Sequence, residues 1–101
     1  MPRTLRLARQ AIEDLTAVRR WQTQPGAGDA GAARVKRIRA AIRRLKAHPC
    51  LHPEGERIGT RELSCERHRI VYRVDPDTGH DATTGDVQVL RVFGPGQARN
   101  P

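Results

Sequence analysis

Bulky rings are nearly missing from this chain: its 101 residues hold one Trp, one Tyr and one Phe (Trp21, Tyr72 and Phe93). A core must therefore rest on Leu, Ile, Val and Ala, and a chain of this length supports one such core and not two. The two cysteines, Cys50 and Cys65, are too few for the disulfide framework of a small secreted domain. They read as thiols in a cytoplasmic protein. No apolar run approaches the ~18 residues of a membrane span. The opening "MPRTLRL" breaks its leucines with arginine, so it lacks the apolar centre of a signal peptide. Acidic residues are also short, 11 against 19 Lys and Arg, which gives a net charge of +8 and a pI near 11.2. That surplus predicts a polyanionic partner such as nucleic acid, the ribosome or an acidic protein, without choosing among them.

What is present is ordered by changes of period. Residues 3–7 alternate, which predicts a strand with Leu5 and Leu7 on one side. From residue 8, Ala8, Ala11, Leu15 and Val18 recur at helical spacing and predict a helix over 8–23, with Trp21 near its end as a lid on the small core. Pro25-Gly26-Ala27-Gly28 stops it. A second helix over 29–47, with Asp29 as its cap, buries Val35, Ile38, Ile42 and Leu45. This helix carries Arg34, Lys36, Arg37, Arg39, Arg43, Arg44 and Lys46 and no acidic residue between Ala30 and Ala47. Like charges at helical spacing repel unless an anion lies nearby.

After a Pro- and Gly-containing loop, residues 61–74 run without a Gly or Pro and predict a hairpin of strands 61–65 and 68–74 about Glu66-Arg67. In that register Cys65 opposes His68, Leu63 opposes Ile70 and Arg61 opposes Tyr72 on a core face, while Glu62, Ser64, Arg69, Val71 and Arg73 form an open one. Glu-Arg is not a favoured two-residue turn, so the register is free to slip. Residues 75–86 form a polar turn whose Asp-Pro-Asp-Thr-Gly start resembles a calcium loop; His80 stands where the essential glycine belongs and Asp86 where the glutamate belongs, which removes that reading. A strand over 87–93, apolar on both faces except Gln88 and Arg91, should be central, and 94–101 is a tail. The expected fold is α+β: one domain with a small antiparallel sheet and an N-terminal helical hairpin packed on one face, in the order β-α-α-β-β-β.

That order, the basic second helix, the "Arg-Glu-Leu" at 61–63, the "His-Arg-Ile-Val-Tyr-Arg-Val" at 68–74 and the strand "Val-Gln-Val-Leu-Arg-Val" at 87–92 resemble the ParE/RelE superfamily of toxins from type II toxin–antitoxin systems. The resemblance spans residues 3–93. It implies a cytoplasmic toxin held in a hetero-oligomer by a cognate antitoxin with an acidic, partly disordered segment, and no cofactor. An Arg-rich groove suits such a segment folding on binding. Arg37, Arg44, Arg61, Arg69, Arg73 and Arg91 are the expected partner-binding residues.

The superfamily offers two targets, DNA gyrase and the ribosome with its mRNA. An mRNA endonuclease needs a base, an acid and phosphate-binding cations. Arg69 and Arg73 match the cations, Arg69 standing where nuclease members place an arginine before "Ile-Val-Tyr". Arginine stays protonated, so Glu62 is the nearby base candidate. The acid has no match: the last strand is followed by Gly94-Pro95-Gly96-Gln97 with only Arg99 charged, and Tyr72 falls on the core face. The gyrase-binding, ParE-like branch needs no such groups and is the preferred expectation. A rival class rests on His48, Cys50, His52, Cys65 and His68, zinc-ligand types in two short clusters, which would make a zinc-stabilised nucleic-acid-binding module. The first cluster is spaced too tightly and contains Pro49, so no metal site is expected.

Overall fold

The first strand has no neighbour in sequence to pair with; it pairs with the last. The computed structural model describes residues 3–95, and the expected tail beyond Pro95 lies outside them. β1 (Leu5–Leu7) lies parallel to β4 (Asp86–Phe93), with Leu5 beside Val87 and Leu7 beside Val89. β2 (Arg61–Cys65), β3 (His68–Asp75) and β4 run antiparallel, and the sheet order is β1-β4-β3-β2. The sheet is therefore mixed, an antiparallel meander extended by one parallel strand. β4 sits inside it, as its two apolar faces require.

The hairpin adopts the expected register, Arg61 opposite Tyr72, Leu63 opposite Ile70 and Cys65 opposite His68. Glu66 and Arg67 both take positive φ, 51° and 62°, the mirror-image turn whose twist matches a two-residue hairpin. Neither residue favours that conformation, which costs each roughly 1 kcal/mol. Two contacts offset the cost: the Glu66 carboxylate pairs with Arg37, and the His68 ring Nδ1 donates to the Glu66 carbonyl at 2.7 Å. One irregularity decides which way β4 points. A bulge opposite Val71 and Tyr72 inserts Leu90, so Val87, Val89 and Val92 all reach the core while Arg91 opposes Val71 and Phe93 opposes Arg69.

α1 (Arg9–Gln22) and α2 (Gly28–Arg44) lie on one face of the sheet. α1 buries Ala11, Leu15 and Val18, and α2 buries Val35, Ile38, Ala41 and Ile42, followed by Leu45. Against them pack Leu63, Ile70, Tyr72, Val74, Val87, Val89 and Val92, with Leu5, Leu7 and Cys65 at the margin. Each large aliphatic side chain so buried stabilises the fold by about 1.5–3 kcal/mol before the entropy of ordering it is counted. The helices cross where Gly31 meets Gln22: a Cβ on Gly31 would overlap the Gln22 carbonyl oxygen.

Two expectations need correction. Trp21 does not cap the core; it is 70% exposed, because three residues beyond Val18 the helix has turned its ring onto the flank. Asp29 does not cap α2 either. The helix starts one residue earlier, at Gly28, and Asp29 stands in its first turn, where its charge still complements the helix dipole.

Candidate functional site

The face of the sheet away from the helices carries three of the arginines that the sequence singled out, Arg69, Arg73 and Arg91, in a cross-strand grid. Arg6 of β1, Gln88 of β4 and Arg73 of β3 form one row by register. Arg91, Val71 and Glu62 form the next, and Phe93, Arg69 and Ser64 the last. Most of these charges are answered from within the fold. Arg69 Nη1 donates to Glu62 Oε1 at 2.9 Å, and the other Glu62 oxygen accepts from the Glu56 backbone N–H at 2.7 Å. The Glu62 side chain is only 13% exposed. It lies over Gly55, where a Cβ would collide with its carboxylate. A carboxylate held on both oxygens is a strut between β2 and the preceding loop, and it is poorly placed to collect a substrate proton.

Arg91 is held in the same way. It forks onto Asp14 of α1 at 2.8 and 3.2 Å and stacks its guanidinium 4.6 Å from the centre of the Phe93 ring. Asp14 also accepts from the Val92 N–H at 2.9 Å, closing a stretch of β4 edge that β1 is too short to cover. Among the described residues, Arg73 is the open-face arginine of the predicted set left without an acidic partner; it is exposed and donates to Gln88 at 3.1 Å.

Arg61 points to the other side of its strand and acts as a clamp. Its guanidinium forks onto Asp77 at 2.7 and 3.0 Å and donates to the carbonyls of His52 at 2.6 Å and Cys50 at 3.4 Å. It thus ties the 75–85 turn to the loop after α2. The hydrogen bond from Arg61 holds the Asp77 carboxyl below its ordinary range. Beside it Tyr72, fully buried, donates its hydroxyl to the Pro49 carbonyl at 2.6 Å. Burial pushes the phenol well above its ordinary pKa, and its hydroxyl is spent on a backbone carbonyl inside the core. Its ring meets His52 edge-on at 6.4 Å. Burial, and then the Arg61 charge, keeps His52 below its ordinary pKa.

The zinc-type residues do not converge. Cys50 donates its backbone N–H to Asp81 at 2.9 Å, and His48 lies 3.4 Å from the same carboxylate. Cys65 and His68 stand at the far end of the hairpin, where Cys65 Sγ approaches the Arg37 carbonyl at 3.8 Å. Among the described residues no three His, Cys, Asp or Glu side chains are grouped to hold a metal ion. Burial, and then the Glu66 charge, raises the Cys65 thiol, so it is not an activated nucleophile. Arg99, the remaining cation expected near the nuclease positions, lies outside the described residues.

On the helical layer, Arg37 pairs with Glu66, while Arg44 is exposed and has no acidic partner among the described residues. A groove of about 480 Å³ runs between α1 and the ends of β3 and β4, lined by Ala17, Val18, Trp21, His68, Val92 and Pro95. Sequence reasoning missed this groove because it placed Trp21 inward. It also missed the roles of Asp14 and Asp77, since nothing in the local sequence ties either acid to Arg91 or Arg61. No helix among the described residues is long and apolar enough to cross a membrane.

Comparison with known proteins agrees with this architecture. A search of curated proteins finds no match. Among solved structures, the chromosomal ParDE toxin–antitoxin system from P. aeruginosa contains a similar chain, with a TM-score of 0.71 at 19% identity, covering 93% of this chain and 97% of that one. At that identity the likeness speaks for the fold. The family model described as the ParE toxin of the type II toxin–antitoxin system parDE matches residues 5–95, nearly the whole of the described structure, and the chain belongs to that family.

Proposed function

We propose that this ParE-family toxin arrests growth by binding DNA gyrase, and that a cognate antitoxin with an acidic, partly disordered segment neutralises it in a hetero-oligomer. The observation that carries the reading is the engagement of Glu62. The residue best placed on the open face to act as a base is spent on Arg69 and the Glu56 amide, and Tyr72 is sealed in the core. What remains on the surface is suited to binding: exposed cations, Arg44 and Arg73 among them, and the apolar groove beside Trp21. An antitoxin segment with one apolar anchor and flanking acids would fill that groove, burying the Trp21 ring. Arg37, Arg61, Arg69 and Arg91 then serve the partner indirectly, by holding the surface in shape. The alternative, a ribosome-dependent mRNA endonuclease, would have to release Glu62 from Arg69 or draw its acid and base from elsewhere.

The test is to induce the chain in bacteria without its antitoxin and follow DNA and protein synthesis minute by minute, alongside a supercoiling assay with purified gyrase. The proposal expects DNA synthesis to fail first and supercoiling to be inhibited in vitro. Protein synthesis failing first, with gyrase untouched, would refute it and favour the nuclease.

A further inference from the structure

The fold treats its arginines unequally. On the sheet and at its edges, Arg61, Arg69 and Arg91 each face an acidic partner, and Arg37 at the inner edge of α2 faces Glu66. The outer flank of α2 has no such partner. Lys36, Arg39 and Arg43 recur there at helical spacing, all exposed, and Lys46 follows, exposed, in the turn after the helix. None of the four side chains has an ion pair among the described residues, and no acidic residue lies between positions 30 and 47 to moderate them. Successive cations on one helix face each destabilise it by about 0.2–0.5 kcal/mol, so the helix is held by the core on its opposite face and not by its own surface.

We infer that this flank of α2 is a docking surface for the phosphate backbone of double-stranded nucleic acid. From Lys36 to Arg43 the helix rises about 10 Å, which matches about three phosphates of one strand at 3.4 Å each along the duplex axis. Two features choose this occupant. An acidic protein segment that folds on binding needs apolar anchors, and beside these cations the helix surface offers no apolar side chain larger than alanine, as at Ala32 and Ala40; the apolar anchor point lies on the other helix, beside Trp21. Single-stranded nucleic acid is held largely by stacking on aromatic rings, and α2 has none. A ring-free, acid-free basic helix face recognises charge spacing and not base identity, so the binding is independent of sequence. The inference holds whichever target the toxin has, because it concerns a surface apart from the groove and from Glu62.

The experiment measures binding of the purified chain to a fluorescent 24-base-pair duplex of arbitrary sequence between 50 and 200 mM monovalent salt. Four released counterions predict that affinity falls about 150-fold over that range. Arg39→Gln with Arg43→Gln should reduce the fall to about 12-fold, while Arg19→Gln with Arg20→Gln, an equal charge change on the other helix, should leave it near 150-fold. Melting curves of both double variants establish that they are folded; should the α2 pair melt early, Lys36→Gln alone must still lower the salt slope by about one. The inference is overturned if both pairs lower the slope equally, which would mean diffuse charge, if no binding occurs at 50 mM salt, or if poly-glutamate of the same length displaces the duplex at equal charge concentration.

Discussion

Replacing Arg61 by Met separates a clamp from a partner contact. The thioether keeps much of the buried stem and removes the guanidinium, whose side chain is 18% exposed and whose partner Asp77 is 32% exposed. Two kinds of interaction are lost. The forked pair with Asp77 is partly screened by water and contributes about 1 kcal/mol. The bonds to the His52 and Cys50 carbonyls contribute roughly 0.5–1 kcal/mol each. The sum, about 2–3 kcal/mol, corresponds in a domain of this size to a drop in melting temperature of roughly 10–20 °C. Thermal and urea unfolding followed by circular dichroism measure it. A double-mutant cycle with Asp77→Asn should return a coupling near 1 kcal/mol that shrinks in high salt. A melting temperature within about 3 °C of the parent, with additive single effects, would refute the clamp and return Arg61 to the surface that meets the antitoxin.

Three further outcomes follow from the geometry. Glu62→Gln keeps an oxygen for the Glu56 amide, so growth arrest on induction should persist at equal expression; loss of arrest by a folded variant would restore Glu62 as a base. Gly31→Ala would ordinarily gain about 1 kcal/mol of helix propensity, yet the Cβ meets the Gln22 carbonyl, so urea unfolding should show a net loss of about 1–3 kcal/mol, and a gain would mean the helices cross less closely. The folded His52 pKa lies below its ordinary 6.5, so the neutral ring is favoured by folding. That stabilisation is complete above pH 6.5 and fades as pH falls toward the lowered value. The melting temperature should therefore slip between pH 7 and 5, and His52→Gln should flatten that limb. The carboxyls of Asp77, Asp81 and Asp86 are depressed by hydrogen bonds from Arg61, the Cys50 amide and the Thr4 amide respectively, so their contribution stands above pH ~3.8 and is lost below it.

The sequence by itself determined the elements that local physics controls. Period 3.6 at Ala11, Leu15 and Val18 and at Val35, Ile38 and Ile42 specified two helices and their inner faces. Period 2 through His68, Ile70, Tyr72 and Val74 placed the core side of β3; the hairpin register, which the unfavoured Glu66-Arg67 turn left free to slip, was settled by packing Leu63 and Ile70 into the core, since a slip of one would turn every apolar side chain outward. The surplus of positive charge needed no structure at all.

Only the tertiary structure decided which charges are free. Arg91 and Asp14 lie far apart in the chain, as do Arg37 and Glu66, and nothing in local pattern brings them together; their meeting follows from helix-on-sheet packing and from the parallel β1–β4 pair. The bulge at Leu90 chose the side on which Arg91 emerges, and the open edge beyond β1 explains why Asp14 is needed at Val92. Trp21 illustrates the same boundary, since three residues of helix rotate a ring from core to flank and only the neighbouring strands determine whether that flank is covered. A sequence counts its arginines, but neutralisation depends on distances between residues remote in the chain, and those distances exist only once the chain has folded.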